Sequence, residues 1–409
     1  MRKTLTLALA LAVLGTLPAA AQYVPSEGNL KARQQMQARR LGIFLHWGIY
    51  STYAQGEWYL STGKLQPDVY AEAAGGFYPA RFDAAAWAKA FKDAGAGYVT
   101  LTSRHHDGFS MFDTAATDFD IMDATPFKRD VLAELTEAVK AEGMDMQYYY
   151  SLIDWIRPDY PKGHSGVAKD STLANYNHYF DFEKAQIAEL MAHHPRALWF
   201  DGIWDHEDET PAVPWRMEEL YNYIHSIDPD CLVGNNHHRT VLEGEDFQMF
   251  EQDLPGENSA GLSEQSVISA TLPLETCATM NWAWGYKVAD QNYKSVKQIV
   301  HLLVRAASKG ANLLLNIGPQ ANGELPAAAL DRLKGLGEWM RENGHTVNGC
   351  GATGLPEEPW GVTTRDAHHL YLHILDPEKA PATYSFQGRT IPLPKAKADA
   401  IDTIVTIRL

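Results

Sequence analysis

The sequence predicts an α/β fold, a (β/α)8-like barrel followed by a small C-terminal antiparallel β-sandwich-type module. Short apolar strands alternate with amphipathic helices over most of the chain, which is typical of a parallel sheet covered by helices. No G-x-G-x-x-G or P-loop motif follows the first strand, so the phosphate site of a doubly wound sheet is not expected. Polar and aromatic residues end nearly every strand, as in barrels whose active sites draw on many strand ends.

Seven segments are predicted as buried parallel strands. Each is short and nearly continuously apolar, as expected when helices cover both faces of a sheet. The predicted strands are 41–48, 96–103, 145–151, 197–202, 231–236, 275–280 and 311–318. The residues at their ends include His46, Arg104, His105, His106, Asp107, Tyr150, Ser151, Asp201, His237, His238, Arg239 and Asn316. These strand ends are therefore expected to surround the functional site.

The helices between the strands carry start and stop signals. Asp83 can cap a helix that ends at Gly95, because its carboxylate can accept from free N–H groups of the first turn. Ser295 and Gln298 form a capping box before an apolar helix face, and Gly310 follows as the stop signal. Each such helix fills the connection between two parallel strands, as a barrel requires.

The pattern changes after a last predicted helix over 327–343. Residues 345–409 contain short alternating runs at 368–375, 382–387 and 400–409, separated by prolines and charges. Alternation of this kind is typical of antiparallel strands with one solvated face. We therefore predict a barrel domain over 22–344 and a C-terminal β domain over 345–409.

The first 21 residues have the features of a secretory signal peptide. Arg2 and Lys3 precede an apolar run over 5–17, and the alanines at 19–21 supply an A-x-A cleavage site. The apolar run is shorter than the ~20 residues that a membrane-spanning helix needs. We expect cleavage after Ala21, export to the periplasm or the medium, and no membrane attachment of the mature chain.

The charge balance excludes one class of partner. The chain has 35 lysines and arginines against 51 aspartates and glutamates, a formal net charge of −16. Binding to a phosphate backbone needs basic patches, so nucleic acid is not an expected partner. With 45% hydrophobic and 21% charged residues, the composition is that of an ordinary globular protein.

The cysteines and histidines do not have the spacing of a metal site. Cys231, Cys277 and Cys350 include no C-x-x-C pair, and the first two lie in strand-like segments, where they are predicted as small core residues. Adjacent histidines point to opposite faces of a strand, and no H-x-H is present at the strand ends. We expect no metal and no other cofactor, since neutral histidines that bond hydroxyl groups explain the pattern more simply. A metal-dependent barrel hydrolase is the alternative.

Asp201 is the leading catalytic candidate. It ends an apolar strand, where a carboxylate is costly to bury, and strand ends are where barrels place catalytic groups. Paired carboxylates on either side of a glycosidic bond are the general machinery of glycoside hydrolysis. The acidic residues that could be its partner are Glu243, Glu245, Asp246, Glu251, Asp253, Glu257 and Glu275, most of them expected to be solvated loop charges. The tryptophans that could stack on a sugar are Trp47, Trp58, Trp155, Trp199, Trp204 and Trp284.

Eight strings along the chain form a specific series. They are LGIFLHWGIYS (41–51), EWY (57–59), SRHHDGFSMFDT (103–114), YYYSLIDW (148–155), LWFDG (198–202), EDFQMFE (245–251), ETCATMNWAWGY (275–286) and SKGANLLLNIGPQANGELP (308–326). In sequence and order they resemble the family of retaining α-L-fucosidases, glycoside hydrolase family 29. The resemblance covers most of the chain. It implies a (β/α) barrel with a C-terminal β-sandwich, and release of fucose with retention of configuration.

The resemblance also implies roles for individual residues. Asp201 matches the nucleophile of the family, and Glu251 falls where some members have the general acid/base. Glu257 and Glu275 are rival choices for that second role. The residues that match fucose-binding segments of the family are His46, Glu57, Trp58, His105, His106, Tyr150, Trp199 and Arg239. Phe44 or Trp284 could line an apolar pocket for the methyl group at C5 of fucose.

The implied reaction is a double displacement on a fucosylated oligosaccharide or glycoconjugate. Asp201 would attack the anomeric carbon while Glu251 protonates the leaving oxygen, and the same glutamate would then activate water. A non-catalytic fucose-binding barrel is a further alternative. The presence of Asp201 together with candidate acids argues against it.

Overall fold

A computed structural model of the chain describes residues 23–206, 213–262, 267–395 and 397–409. The predicted signal peptide over 1–21 lies outside these residues. Most of the described chain belongs to a barrel domain. In it, an eight-stranded parallel sheet curves into a nearly closed barrel, and helices surround the sheet. A small antiparallel module follows at the C-terminal end. The predicted fold class is therefore confirmed.

Eight parallel strands build the barrel. They are β1 (Leu41–Leu45), β2 (Tyr98–Arg104), β3 (Asp145–Ser151), β4 (Ala197–Asp201), β5 (Leu232–Asn236), β6 (Gln248–Glu251), β7 (Leu274–Thr279) and β8 (Ala311–Ile317). Seven of them correspond to the predicted strands. The sequence does not predict β6, because this strand has four residues, of which Gln248 and Glu251 are polar.

The barrel has one seam. The strands pair in parallel in the order β5-β4-β3-β2-β1-β8-β7-β6, and within the described residues β5 and β6 share no ladder. Asp246, just before β6, bridges the seam. Its backbone N donates to the carbonyl of Val233 at 2.6 Å, and its carboxylate accepts from the backbone N of Val233 at 2.8 Å. Arg33 and His225 bind the same buried carboxylate.

Helices surround the strands. They are α1 (Glu27–Ala38), α2 (Tyr50–Tyr53), α3 (Tyr59–Thr62), α4 (Pro67–Ala71), α5 (Ala84–Asp93), α6 (Val131–Ala141), α7 (Tyr176–Met191), α8 (Met217–Ile227), α9 (Val296–Ser308) and α10 (Ala327–Asn343), with 3₁₀ helices at Glu72–Gly76, Ser171–Leu173, Ile203–His206 and Gly344–Thr346. Both predicted caps are confirmed, since Asp83 accepts from the backbone N of Ala86 at 2.9 Å and Ser295 forms a capping box with Gln298. None of the helices in the described ranges is long and apolar enough to cross a membrane.

Two apolar layers hold the barrel together. One lies between the strands and the surrounding helices. The other fills the barrel interior and consists of Ala32, Met36, Phe44, Tyr98, Tyr149, Ala197, Trp199, Leu232, Phe247, Met249, Cys277 and Leu314. Ala32 and Met36 belong to α1, and the side chain of Asn312, near the start of β8, donates to the carbonyl of Met36 at 2.8 Å. Helix α1 therefore covers the amino-terminal end of the barrel and leaves the carboxyl-terminal end for the functional site.

The C-terminal module consists of antiparallel strands. They are β9 (Gly351–Ala352), β10 (Gly361–Arg365), β11 (His369–Ile374), β12 (Thr383–Phe386), β13 (Arg389–Pro392) and β14 (Thr403–Arg408). A four-stranded sheet has the order β14-β11-β10-β9, and β12 pairs with β13 as a hairpin. The three predicted runs became β11, β12 and β14, whereas β9, β10 and β13 are shorter or more polar and are not predicted. The domain boundary at 344/345 stays a prediction.

Candidate active site

A cavity of about 370 Å³ opens at the carboxyl-terminal end of the barrel. Its lining residues are Phe44, His46, Trp58, His105, His106, Tyr149, Trp199, Asp201, Trp204, Asn236, His238, Glu251, Gly261, Leu262, Cys277 and Trp284. Barrel enzymes have their active sites at this end. The cavity brings together every predicted site residue except Glu57, Tyr150 and Arg239.

Asp201 is the last residue of β4, and both its carboxyl oxygens are bound. Trp204 Nε1 donates to Oδ1 at 3.0 Å and the hydroxyl of Tyr149 donates to Oδ2 at 2.9 Å, while His106 Nε2 lies 3.6 Å from Oδ2. Burial, assisted by the charge of Glu251, raises the pKa of Asp201 to about 6. The two hydrogen bonds act in the opposite direction, because they favour the ionised form.

Glu251 is the last residue of β6 and shares the cavity with Asp201. The side chain of Asn236, at the end of β5, donates to Glu251 Oε2 at 2.7 Å, and the same nitrogen lies 3.5 Å from Asp201 Oδ1. His238 Nε2 lies 3.0 Å from Glu251 Oε2. The two carboxyl groups are therefore connected through one amide nitrogen.

Three histidines in the cavity wall are uncharged at neutral pH. Burial lowers the pKa of His46 to about 3 and holds the pKa values of His105 and His106 well below the usual range. His46 Nδ1 bonds the side-chain oxygen of Asn316 at 2.7 Å, and His106 Nδ1 bonds Ser151 Oγ at 2.7 Å. Neutral imidazoles fixed in this way can donate to or accept from sugar hydroxyls.

Aromatic rings form the remaining wall. Trp58 and Trp204 stack with ring centroids 5.6 Å apart and an interplanar angle of 21°. Phe44 lies 5.2 Å from Trp199 and 6.0 Å from Trp284, measured between ring centroids. The cavity therefore has aromatic surface beside its carboxylates and histidines, as sites for amphipathic ligands do.

Glu57 lies behind the cavity wall rather than in it. It is buried, and its Oε2 accepts from the backbone N of Gly285 at 2.7 Å. Asn316 donates to the carbonyl of the preceding residue, Trp284, at 2.8 Å. The structure thus places the predicted fucose ligand Glu57 as a support for the loop that carries Trp284.

The side chain of Tyr150 does not line the cavity, whereas that of the neighbouring Tyr149 does. The hydroxyl of Tyr150 donates to Gln186 of α7 at 2.9 Å and accepts from the buried guanidinium of Arg104, on the helix side of the barrel. Successive residues of a strand point to opposite faces, so the ring of Tyr149 lies inside the barrel next to Asp201.

The segment after β5 separates the roles of two adjacent histidines. His237 is buried, with Nε2 bonded to Glu245 at 2.9 Å and Nδ1 accepting from the backbone N of Arg239 at 3.0 Å. His238 has a left-handed backbone, with φ of 58°, and its ring contacts Glu251. Arg239 is exposed and is not part of the cavity wall, and its role as a fucose ligand stays a prediction.

The two rival glutamates lie elsewhere. Glu257 forms ion pairs with Arg305 at 3.2 Å and Lys309 at 3.6 Å on the outside of the barrel. Glu275 is buried in the barrel interior, where it accepts from Tyr98 at 2.6 Å and from Trp199 Nε1 at 2.9 Å. Neither residue lines the cavity, and Glu275 instead holds the indole of Trp199 that does.

The cysteines are all free and buried. Cys231 and Cys277 were predicted as core residues, and Cys277 also lines the cavity. Burial raises the pKa of the Cys277 thiol well above its ordinary value, so the thiol stays protonated. Among the residues that the structure describes, no three His, Cys, Asp or Glu side chains are grouped as a metal ion would need.

Comparison with known proteins identifies the family. The sequence profile of the family described as Alpha-L-fucosidase matches residues 11–345 of the chain. The chain belongs to the α-L-fucosidase family. Among curated relatives, Alpha-L-fucosidase of Branchiostoma floridae is 27% identical over 360 residues, which span 80% of this chain and 75% of the relative. Plasma alpha-L-fucosidase of Homo sapiens is 27% identical over 363 residues, or 80% of this chain and 72% of the relative.

Solved structures of α-L-fucosidases have the same fold. Alpha-L-fucosidase isoenzyme 1 from Paenibacillus thiaminolyticus superposes with a TM-score of 0.80 and 32% identity, covering 93% of this chain and 99% of that one. The alpha-fucosidase of Thermotoga maritima, solved in complex with a mechanism based inhibitor, gives a TM-score of 0.69 and 28% identity over 87% and 86% of the two chains. The protein is thus a glycoside hydrolase of the α-L-fucosidase family.

Proposed function

We propose that the protein is an exo-acting enzyme that hydrolyses terminal α-L-fucose from fucosylated glycans with retention of configuration. One observation carries the proposal. The same Asn236 nitrogen lies 3.5 Å from Asp201 Oδ1 and 2.7 Å from Glu251 Oε2. These carboxyl oxygens are therefore at most about 6 Å apart, which suits the ~5–5.5 Å separation of retaining glycosidases better than the ~6.5–9.5 Å of inverting ones.

The cavity suits one fucose ring. A volume of about 370 Å³ is at the small end of ligand cavities, which favours removal of single terminal residues. The neutral histidines described above can bond the ring hydroxyls in either direction. Phe44 contacts both Trp199 and Trp284, and these rings offer an apolar surface to the methyl group at C5.

The reaction proceeds by two displacements at the anomeric carbon. In the first, an Asp201 oxygen attacks this carbon, the glycosidic C–O bond breaks, and Glu251 gives its proton to the leaving oxygen. In the second, Glu251 takes a proton from water, whose oxygen attacks the same carbon and releases Asp201 as a carboxylate. Each displacement inverts the centre, so the product keeps the α configuration. With a pKa of about 6, Asp201 is ionised at neutral pH, as a nucleophile must be.

The substrate class follows from the location that we propose. The basic start, the apolar run over 5–17 and the A-x-A site support export, so the substrates would be fucosylated oligosaccharides or glycoconjugates outside the cytoplasm. The intact mass of the exported protein should correspond to a chain that begins at Gln22. A mass that retains Met1 would contradict this part of the proposal.

The reaction itself is tested with 4-nitrophenyl α-L-fucoside. Following the first-formed sugar by proton NMR should show α-L-fucose before it mutarotates to the β anomer. β-L-Fucose as the first product would contradict retention, and absence of hydrolysis would contradict the fucosidase activity. Prolonged treatment with EDTA should leave the rate unchanged. Loss of activity that added zinc restores would instead favour the metal-dependent alternative.

A further inference from the structure

Within the described part of the chain, the side-chain hydrogen bonds of Glu251 all go to one of its two carboxyl oxygens. Asn236 Nδ2 at 2.7 Å and His238 Nε2 at 3.0 Å both contact the same oxygen, Oε2. Both residues come from the end of β5 and the turn after it, while Glu251 ends the neighbouring strand β6. With Oε2 fixed in this way, Oε1 is the oxygen that can reach a leaving group in the cavity.

We infer that His238 is a positioning residue for proton transfer, which fixes Oε2 of Glu251 so that Oε1 exchanges protons with the glycosidic oxygen and with water. This inference rests on the proposed function, in which Glu251 is the general acid/base. The amide nitrogen of Asn236 can only donate, whereas an imidazole can donate, accept or carry a second proton. His238 is therefore the contact of Oε2 that can adapt as the carboxyl group loses and regains its proton.

The backbone around His238 is arranged to place its ring. A φ of 58° is in the left-handed region, which is sparsely populated by residues with a Cβ atom. The neighbouring His237 fixes the turn, because its ring bonds Glu245 at 2.9 Å and accepts from the backbone N of Arg239 at 3.0 Å. The turn that His237 fixes therefore holds the ring of His238 against the carboxyl group of Glu251.

His238 differs from the other titratable groups near Glu251 in that its side chain can carry a positive charge. Among the described residues, the titratable groups on other elements that interact electrostatically with Glu251 include Tyr149 on β3, Asp201 on β4, Cys277 on β7 and Glu57 in the segment after β1. Each of these groups is neutral or negative. A positive charge on His238 also lowers the pKa of Asp201, so its ring is coupled to both carboxyl groups.

The test varies the leaving group. A phenyl fucoside needs proton donation to the departing oxygen, whereas a 2,4-dinitrophenyl fucoside needs little. His238→Ala should lower kcat/KM for the phenyl substrate by roughly 10- to 100-fold, which is the rate factor that corresponds to losing one hydrogen bond to a charged group. For the dinitrophenyl substrate, kcat/KM should fall by less than about 3-fold. His238→Gln, which keeps an N–H near the position of Nε2, should recover most of the loss.

Two further variants make the test independent of folding. His238→Asn suits the left-handed backbone but is too short to reach Glu251, so it should behave like His238→Ala. His194, in the turn before β4, is also left-handed, with φ of 51°, and is exposed at the other end of the barrel. His194→Ala should leave both substrates at the wild-type rate, because it places alanine in the same left-handed backbone without touching the cavity.

The decisive measurement is a double-mutant cycle. If His238 acts through Glu251, removing it from the Glu251→Ala enzyme should cause no further loss with the phenyl substrate. Equal losses on both substrates, or a further loss in the Glu251→Ala background, would overturn the inference. Either result would leave the fucosidase activity standing, since the wild-type enzyme hydrolyses both substrates. Failure of the wild-type enzyme on both would instead reject the proposed function itself.

Discussion

Trp204 donates a hydrogen bond of 3.0 Å from its indole nitrogen to Oδ1 of Asp201, three residues before it in the chain. The 3₁₀ helix Ile203–His206 makes this short-range contact possible, because it turns the chain back over the end of β4. Burial is the main reason for the raised pKa of Asp201, and the hydrogen bond from Trp204 limits the rise. Trp204 therefore helps to keep the nucleophile ionised at neutral pH.

We predict that the acid side of the pH profile reports Asp201 and shifts when Trp204 is replaced. In the wild-type enzyme, kcat/KM should fall as the pH drops through about 6, because the free enzyme then binds a proton on its nucleophile. Trp204→Phe removes a hydrogen bond to the ionised form, so it raises the pKa of Asp201 and moves this limb to higher pH. The measurement is kcat/KM for an aryl fucoside across the acid range.

A matched control is available on the rim of the barrel. Trp282 is 77% exposed and does not line the cavity, so Trp282→Phe should leave the acid limb in place. A shift of the Trp204→Phe limb to lower pH would show that the indole does not stabilise the carboxylate.

We predict that Asp201→Gly abolishes turnover and that azide restores part of it. The side chain faces the cavity, so its loss removes the covalent step with little effect on packing. Azide can enter the vacated space and attack the anomeric carbon from the same side, which gives β-L-fucosyl azide. The measurement is the rate with an activated aryl fucoside, with and without azide, and the configuration of the azide product. Wild-type activity of the folded variant would refute the assignment of the nucleophile.

We predict that Glu251, and neither Glu257 nor Glu275, shows the behaviour of an acid/base. Glu251→Ala should slow fucosyl-oligosaccharides by roughly 10²- to 10⁴-fold, but a dinitrophenyl fucoside far less in the first step. Azide should then react with the fucosyl-enzyme to give α-L-fucosyl azide, the opposite anomer to that of the Asp201 variant. The measurement is kcat/KM of each variant on both substrates.

The other two glutamates provide the comparison. Glu257→Ala should be close to wild type, because its ion pairs lie on the outer surface. Glu275→Ala should lower kcat/KM for both substrates by the same factor, because it releases the indole of Trp199 from its 2.9 Å hydrogen bond. If either variant showed dependence on the leaving group and Glu251→Ala did not, the proton donor would be misassigned while the nucleophile would stand.

The fold could be predicted because its signals are local. Apolar strands, capping residues such as Asp83 and Ser295, and glycines after helices each depend on neighbours a few residues away. The omitted strand β6 shows the limit of such signals. Its four residues end in Glu251, and it is a strand because β7 pairs with it in parallel, which no local pattern records.

The site residues that could be predicted are likewise those with a local signal in the sequence. Asp201 and the histidines near it could be found from their places at strand ends. Tyr149 could not be separated from Tyr150, because β3 is buried on both faces and lacks the alternation that reveals which side points inward. The register of β3 with β4 distinguishes the two tyrosines, because Tyr149 is paired with Trp199. Glu57 acts on Gly285, 228 residues away, and such a contact leaves no pattern in the sequence.

The last prediction concerns the seam of the barrel. The buried carboxylate of Asp246 accepts hydrogen bonds from Tyr23 at 2.8 Å and from the backbone N of Val233 at 2.8 Å, and it also binds Arg33 and His225. It therefore links the N-terminal segment, α1, α8 and β5 at the seam, where β5 and β6 share no ladder within the described residues. Asp246→Ala removes the acceptor and leaves a guanidinium without its buried partner, so it should lower the free energy of unfolding by about 3–5 kcal/mol.

The measurement is urea unfolding of Asp246→Ala followed by circular dichroism, beside that of Asp93→Ala. Asp93 forms an exposed ion pair with Lys89 one helical turn away, so its removal should change the stability little. Both variants replace an aspartate with alanine. The two aspartates differ in that Asp246 is buried and links several elements, whereas Asp93 is exposed and pairs within one helix. Because the seam adjoins β6, which carries Glu251, Asp246→Ala should also lose activity at denaturant concentrations below its unfolding transition. If the two variants unfolded at the same urea concentration, strand contacts other than Asp246 would have to hold the seam closed.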